Sequence, residues 1–322
     1  MIHMRVFWFL GFLALACPGR ALAQAGAPDK APTVHIGGYI QYDFLAPLGQ
    51  EGLQDPTFRF RRVRLMIGGA ATEHVDYLVT VEATAPTILR DASITLKHFP
   101  AAMIRLGQFV MPNGQEQYVF SSNTLEFTER ILTPLIASRD AGIAVFNARP
   151  VAGWFTYAAA IANGTGQNVG DDNAAKDAMV RLTVTPPAIP GLQVSVGGVR
   201  GEQPTGLRTR RGADISLDRK HYHVAAEFQS ERFEGRPTRD GYYVLGSWRA
   251  YPQTTHRAFH HVEFGSRVSR IITGGVPLGQ VEFAANYYVQ QNVRFMCDYI
   301  IHTDRLPGTA RRTLQARANI RF

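Results

Sequence analysis

Residues 313–322 read TLQARANIRF, and their strict two-residue alternation decides the fold. Leu314, Ala316, Ala318, Ile320 and Phe322 fall on one face, and Thr313, Gln315, Arg317, Asn319 and Arg321 on the other. Successive side chains of an extended chain point to opposite faces, so this stretch is a strand with one apolar and one polar side. The same pattern recurs upstream. In 281–290 (VEFAANYYVQ), Val281, Phe283, Ala285, Tyr287 and Val289 oppose Glu282, Asn286 and Gln290. In the first strand Val34, Ile36, Ile40, Tyr42 and Phe44 oppose His35, Tyr39, Gln41 and Asp43. In the third, Val75, Tyr77, Val79 and Val81 oppose Asp76, Thr80 and Glu82.

Strands are expected near 33–46, 57–69, 74–84, 88–98, 102–110, 140–149, 153–163, 176–186, 191–201, 209–217, 220–232, 240–251, 256–270, 279–290, 293–303 and 311–322. About sixteen strands is an even count within the range of single-chain outer-membrane barrels. The strand at 209–217 has the weakest pattern. Three features separate this reading from a soluble sandwich. Strand lengths match the roughly 9–11 residues of a tilted membrane strand. Aromatics such as Tyr42, Phe44, Tyr157, Trp248, Tyr287, Tyr299 and Phe322 sit on the apolar face near strand ends, where interfacial girdles form. Connections alternate short and long: Gly68–Glu73, Phe99–Ala101, Pro150–Ala152, Pro187–Pro190, Asp218–Arg219, Pro252–Thr255 and Gln291-Asn292 are tight, whereas 111–139, Gly164–Ala175 and Glu202–Arg208 are longer. Short periplasmic turns and longer external loops produce that asymmetry.

The chain of 322 residues therefore reads as an export signal over 1–25 and one barrel domain over 26–322. Met1–Arg5 is basic, Val6–Ala16 is apolar, and Ala21-Leu22-Ala23 and Ala23-Gln24-Ala25 offer small-x-small cleavage sites. Cleavage removes Cys17 and leaves Cys297 as the single thiol, so no intrachain disulfide is expected. No later apolar window reaches the length of a membrane helix. A membrane location then requires a closed barrel, because hydrocarbon offers no partner to an open sheet edge. Removing Arg5 and Arg20 from the 34 basic residues leaves 32 against 26 acids, formally +6. No basic run exceeds two residues, which argues against nucleic acid and for an anion-attracting lumen or a hydrated surface.

The longest connection, 111–139, reads MPNGQEQYVFSSNTLEFTERILTPLIASR. Leu125, Phe127, Ile131, Leu132, Leu135 and Ile136 make it too apolar for a solvated loop. A long loop with its own apolar face has a fold or a task, and its expected place is inside the barrel, narrowing it.

Several blocks in order then resemble the phosphate-selective porin O and P family. They are Phe58-Arg59-Phe60-Arg61-Arg62-Val63-Arg64-Leu65; Ile104-Arg105-Leu106-Gly107-Gln108-Phe109 followed by Pro112; Ser121-Ser122, Phe127, Glu129-Arg130 and Ser138-Arg139-Asp140-Ala141-Gly142; Asn163-Gly164, Asn173, Lys176-Asp177, Arg181-Leu182 and Pro186; and Asn286-Tyr287-Tyr288, Asn292-Val293-Arg294, Tyr299 and Phe322. The resemblance runs from about 37 to 322. It implies an all-β, sixteen-stranded transmembrane antiparallel barrel, a homotrimer, with the third extracellular loop folded inward and cations in the lumen. Phosphate-specific members follow Gly-Gln-Phe with lysine; Val110 stands there in this chain, so the resemblance leaves the solute open.

Arg62, Arg64, Lys97, Arg105, Arg130, Arg139, Arg181, Arg267 and Arg294 are the expected pore-lining, solute-binding residues, with Arg62, Arg64 and Arg105 first at a constriction. Guanidinium forks attract and chelate anions. The alternative for each is pairing across strands with acids such as Asp43, Asp76, Glu82, Glu227, Glu263, Glu282 and Asp298. Glu126 and Glu129 share the long loop with Arg130 and Arg139 and would offset them. Arg61 falls on the lipid-facing Val63/Leu65/Ile67 face, so it sits at the rim or a bulge near Phe60 shifts the phase. His221 and His223 share a face with Glu227, a pattern that lines polar surfaces more often than it binds metal; no metal, cofactor or catalytic residue is expected. The function expected is passive diffusion of small hydrophilic or anionic solutes through a pore surrounded by outer-membrane lipid. A barrel hydrolase, or a plugged structural or adhesin barrel, is the alternative; the hydrolase would need a His-centred triad at the rim.

Overall fold

The computed structural model describes residues 32–49, 55–120, 125–250, 261–290, 292–304 and 311–322. Sixteen strands account for most of them: β1 (His35–Leu48), β2 (Thr57–Thr72), β3 (Val75–Glu82), β4 (Leu89–Leu96), β5 (Met103–Val110), β6 (Arg139–Phe146), β7 (Phe155–Ala162) and β8 (Asp177–Val184). The second half holds β9 (Leu192–Gln203), β10 (Gly206–Asp218), β11 (Tyr222–Phe233), β12 (Arg239–Ala250), β13 (His261–Thr273), β14 (Val276–Gln290), β15 (Val293–Asp304) and β16 (Arg312–Arg321). Each strand pairs antiparallel with its sequence neighbours, and β1 pairs with β16 from Tyr39↔Arg321 to Leu48↔Arg312, which closes the sheet into a barrel. Closure leaves no edge. The expected signal at 1–25, the turn at Pro252–Thr255 and the Ser121-Ser122 block lie outside the described residues.

The burial pattern inverts that of a soluble protein. Val244, Phe264, Val268, Phe283 and Phe295 are about half exposed on the outer face, while Glu227, Glu263, Arg267, Glu282 and Asp298 on alternate positions are almost wholly covered. A wall with apolar side chains outside and ions inside suits hydrocarbon around it and polar groups within. At one end the connections are tight, as at Glu73-His74 and Arg219–His221. The other end carries 111–138 and 163–176.

One expectation needs correction. Glu202–Arg208 is not a long loop: β9 and β10 continue through it and join at Pro204-Thr205. The weakly patterned strand is a full strand, β10, whose alternation is blurred by inward Gly212 and by outward Arg211. Of the two placements open to Arg61, the structure takes the bulge. Gln41 pairs with Arg62 and Tyr42 with Phe60, so Arg61 is the extra residue of a β-bulge, and the bulge turns it inward. The same device recurs on β4: Thr80 pairs with Asp91 and Val81 with Leu89, leaving Arg90 as the extra residue.

Candidate functional site: an arginine-lined cavity beside an internal segment

Segment 111–138 leaves β5 and bonds to strands on the far side of the ring. Glu227 on β11 accepts the backbone N–H groups of Gln115 and Glu116, at 3.0 and 2.9 Å, where the one-turn helix α1 (Gln115–Tyr118) begins. Asp298 on β15 accepts the N–H and hydroxyl of Thr128. Asn286 on β14 donates to the carbonyl of Glu126, and Arg294 on β15 to that of Leu125. Arg61 on β2 chelates Glu129 through two bonds of 2.6 and 2.8 Å. A segment rooted at β5 reaches β2 and β11–β16 together only by crossing the interior.

Apolar packing reinforces these bonds. Leu125, Phe127, Leu132, Leu135 and Ile136 are buried against the inward residues Ala225, Tyr243, Leu245 and Ala284, with Ile131 partly buried beside them. Gly241 belongs to the same surface: a Cβ there would meet Leu135 Cδ1 at 2.5 Å and Leu132 Cδ2 at 2.9 Å. The roots of the segment pack differently, with Met111 and Ala137 against Phe109, Ala144, Ala160, Ala162, Met179 and Val199 on β5–β9. Alanine on alternate inward positions of β7 therefore makes room for chain inside the wall.

Three acids of the segment hold it electrostatically. Glu116 is fully buried, accepts the N–H groups of Ile131 and Leu132, and pairs with Arg267. Burial outweighs those partners and raises its carboxyl above the usual range. Glu126 pairs with His223 at 2.5 Å and with Arg249 at 3.2 Å. Burial opposes its charge, but the His223 hydrogen bond and the His223 and Arg249 charges win and lower it. Glu129 meets Arg61, Arg317 and, at 3.9 Å, Arg62. Burial again opposes ionisation, yet the Arg61 hydrogen bond and the surrounding arginines bring it down to about 2.

Between this segment and the β2–β4 wall lies a cavity of about 500 Å³, lined by Arg61, Arg62, Arg64, Arg90 and Arg130 together with Glu82 and Glu129. Five guanidinium groups against two carboxylates leave a formal +3. The bulges explain how so many converge: regular alternation would send Arg61 and Arg90 to lipid, and both bulges rotate them to the cavity. Arg64 is bound to Glu82, and Arg130 donates to the carbonyls of Glu116 and Phe120. Arg90 forms no ion pair among the described residues, and its Nε is buried without a partner.

The nine sequence-selected cations therefore separate. Arg62, Arg64 and Arg130 border the cavity. Arg105 lies over the Phe146 ring, 4.8 Å from its centroid, and donates to Thr95. Arg139 and Arg181 are buried in wall pairs with Asp91 and Asp214. Lys97 pairs with Asp76 beyond the end of β4, at the tight-turn end. Arg267 and Arg294 do not face the cavity; they lie beneath the segment, bound to Glu282 and Glu116 and to the Leu125 carbonyl. His223 turns to Glu126 and Glu227 to α1, so the pair serves the segment; among the described residues no cluster of three metal-binding side chains occurs. Arg90 escaped the sequence reading, because a bulge leaves no mark in the alternation beyond one charge out of phase.

The sequence model of the phosphate-selective porin O and P family matches residues 34–210, more than half of the chain. No curated protein matches. Among solved structures the chain is similar to an anion-selective porin from Comamonas acidovorans, with TM-score 0.65, 11% identity and coverage of 90% of this chain and 100% of that one. OmpT of Vibrio cholerae in its trimer form gives TM-score 0.60 at 13% identity, covering 91% of this chain and 100% of that one. The outer membrane channel DcaP of Acinetobacter baumannii gives TM-score 0.64 at 9% identity, covering 93% and 100%. At these identities the likeness is one of fold.

Proposed function

This chain belongs to the phosphate-selective porin O and P family, an outer-membrane channel family, and from that premise we propose that its channel prefers small anionic solutes. The observation that carries the preference is the cavity of five arginines and two glutamates beside segment 111–138. A hydrated passage with net positive walls concentrates anions and repels cations. Arg62, Arg64 and Arg130 take the solute-facing role expected from the sequence, joined by Arg61 and Arg90. Arg105, Arg139 and Arg181 lie on other parts of the wall, where Asp91 and Asp214 neutralise Arg139 and Arg181.

The likeness to the anion-selective porin of C. acidovorans supports this reading, and the trimer form of V. cholerae OmpT supports trimeric assembly. Residues 1–25 act as the export signal, a step that N-terminal sequencing of outer-membrane protein reads directly. Passage needs no covalent step and no cofactor. Reversal potentials across a potassium chloride gradient test the selectivity. An anion preference, strengthened or blocked by added phosphate according to how tightly the cavity holds it, supports the proposal; a cation preference refutes it.

A further inference from the structure

Inward cations of β9–β11 have carboxylate partners: Arg208 pairs with Asp177 and Arg210 with Glu231. The outward positions of the same strands differ. Arg200 on β9, Arg211 on β10 and Arg232 on β11 are exposed, and among the described residues none of the three forms an ion pair. Their register brings them together. Thr209 pairs with Arg200 on one side and Arg232 on the other, while Arg211 pairs with Gly198 and Ser230. Arg211 is thus the diagonal neighbour of both, with Cα separations of about 7–8 Å. Gly198, Thr209 and Ser230 between them are small, so three guanidinium groups surround a shallow floor.

The depth of this triad is set by β11. Tyr222 pairs with Trp248, and Trp248 with Phe264, forming an outward aromatic row at the tight-turn end. From Tyr222 to Arg232 the outward positions are Val224, Ala226, Phe228 and Ser230. Ten residues at about 3.4 Å each, tilted about 40°, rise roughly 26 Å along the barrel axis. That is the height of the apolar band, so the triad stands at the opposite interface, among headgroups.

We propose that Arg200, Arg211 and Arg232 form a docking site for the phosphate of a membrane lipid headgroup. The proposal rests on the reading of the chain as a membrane barrel with this face in lipid. Arginine clusters bind phosphate through charge-assisted forks. Directly below the triad, Val196, Ile215 and Phe228 are about half exposed, giving an acyl chain an apolar strip that a free anion cannot use. A second copy of the chain is a poor occupant. The outward positions of β1–β8 carry no acidic side chain to pair with the triad, and the outward acids beside it, Glu202 two residues beyond Arg200 and Asp240 opposite Ser230, leave the patch formally +1.

Native mass spectrometry of the folded protein in neutral detergent tests the site. The probes are a disaccharide lipid carrying two phosphates, its dephosphorylated form, and inorganic phosphate. Wild type should retain the phosphorylated lipid and lose the other two. The triple variant R200Q/R211Q/R232Q should bind the phosphorylated lipid about tenfold or more weakly, which corresponds to about 1.4 kcal/mol or more. The lumen variant R62Q/R64Q should bind it as wild type does. Equal retention of both lipids, inorganic phosphate displacing the lipid at equal concentration, or an unaffected triple variant would overturn the proposal. Dissociation of an oligomer in the triple variant without lipid loss would also overturn it, by assigning the triad to a protein contact. Single-channel conductance of the triple variant reports the pore separately and should stay at the wild-type value.

Discussion

Replacing Arg90 by glutamine removes one positive charge from the cavity with little structural disturbance, because Arg90 is ion-paired to no carboxylate among the described residues. By contrast, replacing Arg139 would orphan the buried Asp91. A sphere of the cavity's 500 Å³ has a radius of about 5 Å, which puts a central ion about 6 Å from a lining charge. In water-like surroundings that charge acts on a monovalent ion with about 0.7 kcal/mol, and screening at 0.1 M salt reduces this to about 0.4 kcal/mol. Anion and cation shift in opposite senses, so the anion-to-cation permeability ratio should fall about fourfold in R90Q. E129Q, which removes a negative charge from the same cavity, should raise the ratio by a similar factor. Reversal potentials of single channels across a potassium chloride gradient measure both. Shifts of the same sign in the two variants, or none in either, would refute the assignment of this cavity to the ion path.

Three further outcomes follow from the geometry. Glu129 titrates at about 2 instead of 4.5, so its contribution of about 3 kcal/mol is full above pH 4.5 and is lost as pH falls towards 2; ion selectivity should stay level from pH 7 to about 4, and thermal stability should decline below about 4.5, whereas a selectivity change near pH 6 would contradict the arginine clamp. G241V places carbon against Leu135 and Leu132, should cost about 1–3 kcal/mol by overpacking, and should raise single-channel conductance as segment 111–138 shifts; unchanged conductance would show that the segment does not limit the path. Cys297 is exposed on the outward face of β15, so a spin label there should collide with oxygen rather than with an aqueous nickel complex; the reverse would invert the two faces of the wall.

The architecture was legible because a barrel wall is the simplest case of period-two patterning. Each of the sixteen strands has a counterpart in the alternation, including β10, where inward Gly212 and outward Arg211 obscure it. The apolar residues of 111–139 showed the same legibility: Leu125, Phe127, Leu132, Leu135 and Ile136 cannot be solvated cheaply, and they are the ones packed against Ala225, Tyr243 and Leu245. The site was harder. Alternation tells which side of a wall a residue takes, not what stands opposite it across the lumen. Arg267 and Arg62 look alike in sequence, yet one lies under the segment against Glu116 and Glu282 and the other borders the cavity. The bulges are a second limit. Arg61 was visibly out of phase, with a bulge as one of two explanations, while Arg90 in a short strand gave no comparable signal. The break of β9 and β10 at Pro204-Thr205 was hidden because polar, charged residues surround it on both strands.

Planar-bilayer recording of the purified, folded wild-type protein tests the water-filled barrel most directly. Discrete, ohmic opening steps whose current is carried mainly by anions are the predicted record. Verified insertion with a silent bilayer would instead mean that segment 111–138 seals the lumen, and the transport function would fall.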